Sequence, residues 1–138
     1  VIITEILLDT HILLWLINDD SKLQDSHRRI INSVCDNDGT LFISIISIWE
    51  VALLVSKGRL KLGLSIEEFI KIISSNSYFK ILPIDIEIVI KSCNLGDSFH
   101  SDPADRFIVA TSIITSRPLL TKDSKILAFN IDGFVACV

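Results

Sequence analysis

Short runs of consecutive apolar residues alternate along this chain with stretches in which apolar positions recur at helical spacing. The segment Ile2 to Leu8, broken only by Thr4 and Glu5, predicts a buried first strand. It stops at Asp9-Thr10, where Thr10 can cap a short helix carrying Ile12, Leu13, Trp15 and Leu16. Ser21 to Val34 predicts a second helix with Leu23, Ile30, Ile31 and Val34 apolar, followed by a turn at Asp36-Asn37-Asp38-Gly39. Leu41 to Ile43 predicts a second strand, and Ser47 to Lys57 a helix ended by Gly58. Ser65-Ile66-Glu67-Glu68 is a capping box that opens a helix through Ile73. Phe79 to Leu82 predicts a third strand stopped by Pro83, then Asp85 to Asn94 a helix and Gly96 to Ser101 a loop. Asp102-Pro103 opens a helix to about Thr115. Leu119 to Thr121 reads as a strand end, Ser124 to Phe129 as a short helix and Gly133 to Val138 as a last strand.

Short apolar strands separated by helices predict an α/β fold: one domain, residues 1–138, with a central, mostly parallel sheet and helices on both faces. In such sheets ligands bind at the carboxyl ends of the strands. The acids fall there. Asp9 ends the first strand, where an unpaired carboxylate would cost several kcal/mol if buried. Helix capping explains Asp9 about as well as chemistry does. Glu50 is the only ionisable residue between Leu41 and Val55, and it forms with Ser47 and Lys57 a narrow polar stripe on an apolar helix. That stripe faces either solvent or a cleft, and its narrowness favours the cleft. Asp102 is a sufficient N-cap, whereas Asp105 exceeds what capping needs. Asp123 follows the Leu119–Thr121 strand end and can cap the helix that begins at Ser124. Carboxylates crowded at one end of a sheet cannot all ionise without a counter-charge. A hard divalent cation such as Mg²⁺ resolves that conflict and leads to phosphoryl chemistry.

Composition changes the picture in three ways. There are 25 isoleucines and no methionine in 138 residues, so the core is densely branched and holds no methionine-rich groove. The net charge of −4 rules out gripping a nucleic acid by overall charge, although a bound cation could supply positive charge locally. Cys35, Cys93 and Cys137 stand far apart, which fits reduced thiols in a cytoplasmic protein and not a zinc site. No membrane span or signal peptide is visible. His27-Arg28-Arg29 reads as a solvated helix face, Trp15 and Trp49 as core or interface anchors and not as base-stacking platforms, and Arg106 first as a structural ion pair. His100, in the loop before Asp102, reads first as a plain loop residue although it could approach the acids, and Lys57-Gly58-Arg59-Leu60-Lys61 is a small basic patch that is either ordinary surface or a contact for phosphates.

Taken in order, Leu7-Leu8-Asp9-Thr10-His11, Ser47-Ile48-Trp49-Glu50-Val51 with Lys57-Gly58-Arg59-Leu60, His100-Ser101-Asp102-Pro103-Ala104-Asp105-Arg106 and Leu120-Thr121-Lys122-Asp123 resemble the PIN domain. More closely, they resemble the VapC-type ribonuclease toxins of type II toxin–antitoxin modules. The resemblance implies a three-layer PIN-like fold and an acidic pocket binding Mg²⁺ or Mn²⁺. It implies endonucleolytic cleavage of RNA, and a homodimer neutralised by a small antitoxin that carries the DNA-binding part, so that this chain alone does not bind DNA. By position it implies Asp9, Glu50 and Asp105 as the central acids and Asp123 as the fourth. Asp102, Thr121, Ser47 and Arg106 become accessory positions. Other readings stay open at this stage. They are a catalytically silent PIN-like domain that binds RNA or regulates, a receiver-like or phosphatase-like enzyme with Asp9 as phosphoacceptor, and a structural partner protein. For docking a partner helix, Leu13, Trp15, Leu16, Leu53 and Leu54 are candidates, and they are equally candidates for the core.

Overall fold

A computed structural model describes residues 2–99, 102–129 and 131–137. The chain runs β1 (Glu5–Leu8), α1 (Thr10–Ile17), α2 (Asp25–Asp36), β2 (Thr40–Ser44), α3 (Ile45–Ser56), α4 (Ile66–Ser75) and β3 (Phe79–Leu82). It continues through α5 (Ile86–Cys93), α6 (Pro103–Thr115), β4 (Leu119–Leu120), α7 (Ser124–Ala128) and β5 (Ala136–Cys137). The strands form one sheet in the order β3-β2-β1-β4-β5, and every pairing is parallel. The chain builds outward from β1 to β2 and β3, then returns to place β4 on the other side of β1. The order therefore reverses at β1 and β4, which opens a crevice beyond their carboxyl ends.

Side chains alternate strictly along the strands. Ile6, Leu8, Leu41, Ile43 and Leu120 join one core with Ile12 and Leu13 of α1, Ile31 and Val34 of α2, Val51 of α3 and Phe69 and Ile73 of α4. Leu7, Phe42 and Leu119 join a second core with Ile108 and Val109 of α6 and Ile126 of α7, and α5 packs along α6. Fully burying one such side chain is worth about 1.5–3 kcal/mol. A strand apolar on both sides, like β1, thus requires helices over both faces, as the sequence predicts.

The differences from expectation lie at boundaries and on α2. β1 begins at Glu5 and not at Ile2, because its neighbour β2 begins at Thr40, opposite Glu5. Ile2 has no ladder to join and is 63% exposed. The cap of α1 is Asp9 and not Thr10: Asp9 has extended backbone angles, and Thr10 is already helical. β5 is confined to Ala136–Cys137, and Val138 lies outside the described residues, as do His100 and Ser101. The expected solvated face of α2 is corrected at His27, which is fully buried and accepts a bond from Gln24 N through Nδ1. Arg28 is drawn back to the carbonyls of Leu23 and Asp20 and to Asp19. Among the described residues no helix is long and apolar enough to cross a membrane, and Cys35, Cys93 and Cys137 are free thiols.

Candidate active site

The carboxyl ends of β1 and β4 lie side by side, Leu8 opposite Leu120, and each strand leads into an aspartate that caps the next helix. Asp9 Oδ1 accepts from Thr10 N at 2.8 Å. Asp123 Oδ1 accepts from Lys125 N at 2.8 Å and Ile126 N at 3.2 Å. Asp102 caps α6 in the same way, accepting from Ala104 N at 3.0 Å and Asp105 N at 3.4 Å. Pro103 follows it at the first helical position, where a missing N–H costs nothing. Each of these carboxylates is therefore aimed by the helix it caps.

Thr121 ties the two strand ends together. It is fully buried, donates from Oγ1 to Asp9 Oδ2 at 2.7 Å and accepts from Asp123 N at 3.0 Å. Asp9 is only 3% exposed, and both of its oxygens are engaged. On the other side, α3 turns its polar positions inward: Ser47 is fully buried and Glu50 half-buried, while Ile45 and Trp49 are 43% and 51% exposed. Apolar burial alone would orient this helix the opposite way. Ser47 and Thr10 hydroxyls share a 2.8 Å hydrogen bond. The inward stripe thus faces the crevice at Ser47 and Glu50, and Lys57 beyond it is exposed.

Charge in the crevice is strongly frustrated. Burial raises the Asp105 carboxyl, and Asp9, Asp102, Asp123 and Glu50 add repulsion, so that it is pushed up to about 8. Glu50 is raised by burial and by Asp9 and Asp102, while the Thr10 hydroxyl and His11 pull it back. Asp9 is raised by burial, against the bonds from Thr121 and Thr10. Asp9, Glu50, Asp102 and Asp123 therefore all act on Asp105 across one crevice. Among the described residues, however, no three His, Cys, Asp or Glu side chains already stand as a coordination shell. What fits a hard divalent cation is the donor chemistry, carboxylate oxygens throughout, together with repulsion that positive charge would relieve.

Arg106 corrects the expectation of an ion pair. Its guanidinium donates to the carbonyls of Ser92 and Phe99, at 3.2 Å each, and lies 5.7 Å from the Phe99 ring centre. It ties α6 to the end of α5 and to Phe99. Sequence reasoning missed His11, which interacts electrostatically with Asp9 and Glu50. The available signal was its place two residues beyond the first acid, on the first turn of α1.

A family model described as PIN domain matches residues 6–131. The chain is 27% identical over 123 residues to Ribonuclease VapC22 of Mycobacterium tuberculosis, which covers 89% of this chain and 90% of that protein. Among solved structures, VapBC2 from Rickettsia felis bound to a DNA fragment from their promoter superposes with a TM-score of 0.70. It shares 20% identity over 96% of both chains. A toxin–antitoxin complex from Klebsiella pneumoniae gives 0.64 at 23% identity over 94% of both chains. At these identities the two structures speak for the fold.

Proposed function

The chain belongs to the PIN domain family, and from that premise we propose that it is a metal-dependent endoribonuclease, the toxin of a type II toxin–antitoxin module. The observation that carries this reading is the convergence on Asp105 of Asp9 and Asp123 from two strand ends, of Glu50 from α3 and of Asp102 from the start of its own helix. The name of the Mycobacterium tuberculosis relative supports RNA as substrate. The toxin–antitoxin complex among the structural neighbours supports a small antitoxin as partner, with a homodimer as the working unit. Asp9, Glu50 and Asp105, joined by Asp123, would hold Mg²⁺ or Mn²⁺. A divalent cation bound there supplies a Lewis acid and neutralises charge during attack of water on a phosphodiester.

The remaining work falls to the protein. Thr121 and the Thr10 N–H fix both oxygens of Asp9 before anything binds, and such support is what keeps a site in its working geometry. Thr10 and Ser47 steady the approach to Glu50. In the absence of a cation Asp105 holds a proton near neutral pH, and it releases that proton when positive charge enters.

The test is cleavage of total RNA by the purified chain with Mg²⁺, with EDTA, and in the variants Asp9→Asn and Glu50→Ala. Discrete fragments that need the metal and both acids are expected. Cleavage retained by folded Asp9→Asn would sink the assignment, and absence of both cleavage and metal binding would favour a silent RNA-binding domain.

A further inference from the structure

Next to the acids, on the side of α1, lies a cavity of about 370 Å³ lined by His11, Trp15, Lys22, Lys122 and Asp123. Its chemistry is opposite to that of the crevice it adjoins through Asp123. His11 and Trp15, one turn apart on α1, have ring centres 6.0 Å apart and planes tilted by 48°. Trp15 is only half-buried, although its other side packs against the first core. Lys122 Nζ stands 6.0 Å from the Trp15 ring centre, at the outer limit of a cation–π contact. Both lysines are exposed, and neither forms an ion pair with any described residue. Two ammonium groups and two ring faces thus surround one hollow beside the acidic crevice of a chain of net charge −4. A hollow of this volume sits near the low end of the ~300–1,000 Å³ of small-molecule sites, so it suits one nucleotide and not a folded partner. Aromatic faces beside lysines are also the means by which proteins hold single strands without reading their sequence.

We propose that this cavity seats one nucleotide of the RNA strand beside the phosphodiester to be cut, its base on Trp15 and His11 and its phosphate between Lys22 and Lys122. The proposal deepens the nuclease reading and rests on it for the identity of the strand. It assigns to the α1 side the task of drawing an anionic chain toward an acidic crevice, which the crevice cannot do by itself.

The test uses the full chain carrying Trp49→Phe, so that Trp15 is the sole tryptophan. In EDTA, with cleavage suppressed, a mixed-sequence single-stranded RNA of about ten nucleotides is titrated while Trp15 emission is followed. A saturable change is expected. Lys122→Ala and Lys22→Ala, both surface changes, should each weaken binding about fivefold and lower the salt slope of log Kd by about one. Trp15→Leu, followed with end-labelled RNA, should weaken it roughly tenfold. With Mg²⁺ present, the lysine variants should raise KM and leave kcat near its starting value. Unmoved Trp15 emission, with cleavage intact and KM unchanged in both lysine variants, would overturn the subsite and leave the nuclease standing. Saturable, lysine-dependent binding by a chain that neither cleaves nor binds metal would uphold the subsite and overturn the nuclease.

Discussion

At the scale of single residues, the centre depends on hydroxyls as much as on acids. Thr121→Val keeps the volume of the side chain and removes both the donor to Asp9 Oδ2 and the acceptor for Asp123 N. Leaving such buried groups unsatisfied costs about 1–3 kcal/mol. We expect that loss in urea unfolding, together with a fall in cleavage kcat of at least an order of magnitude. Unchanged stability and rate would show that Asp9 is held by something else. Asp105 makes a second prediction, about pH. Its folded carboxyl is pushed up to about 8 from an ordinary value of 3.8, so between those limits the folded chain holds a proton that the unfolded chain has lost. Stability in EDTA is then greatest at the acid end of that window and falls as pH rises toward 8. Asp9 and Glu50, also raised, act in the same direction. Thermal melts of the chain and of Asp105→Asn should diverge across the window, the variant showing the flatter profile. The acids themselves were legible in the sequence, because a lone carboxylate closing an apolar strand is conspicuous. The use of Thr10 with Ser47, and of His11, was not, because small polar residues at helix starts look the same whether they cap, pack or orient a neighbour.

At the scale of elements, helix grammar placed some starts and missed others: α1 is capped by Asp9 and not Thr10, and α2 begins at Asp25 and not at Ser21. The Ser65 capping box and the Asp102-Pro103 start appear where the sequence places them. The ends of β1 and β5 do not, because a strand extends only as far as its neighbour, and sequence periodicity carries no information about the neighbour. The turn between α2 and β2 offers a check. Gly39 is held so close to the preceding helix and to β1 that an added Cβ would drive into the carbonyl oxygens of Thr4 and Val34. Backbone cannot yield as a side-chain tip does, so Gly39→Ala should cost at least the ~1–3 kcal/mol typical of overpacking. Equilibrium unfolding measures it, and a neutral result would show that this turn can shift away from β1.

At the scale of the whole molecule, the sequence yielded the class of fold but not the order of its strands. Alternating strands and helices fit several doubly wound sheets. What selects β3-β2-β1-β4-β5 is the matching of two cores across the sheet, a property of residues far apart in the chain. The same arrangement concentrates negative charge at one end of an already acidic protein. A cation that binds only the folded chain should stabilise it, by about 2.7 kcal/mol at a hundredfold excess over its Kd. Melting temperature should climb with Mg²⁺ concentration and cease to do so in Asp9→Asn. A climb that survives this change would mean that the ion binds elsewhere.

The hydrogen bond from Thr121 to Asp9 spans 112 positions of sequence, and it gives synthesis a direction. A ribosome delivers Thr121 112 residues after Asp9, and Asp123 later still. Until β4 emerges, the middle strand of the sheet has a bare flank and its aspartate has only half its support. A nascent chain, or one cut short before Leu119, carries most of the apolar core yet lacks the groups that complete the centre. The centre would thus stay incomplete until β4 and Asp123 have been made.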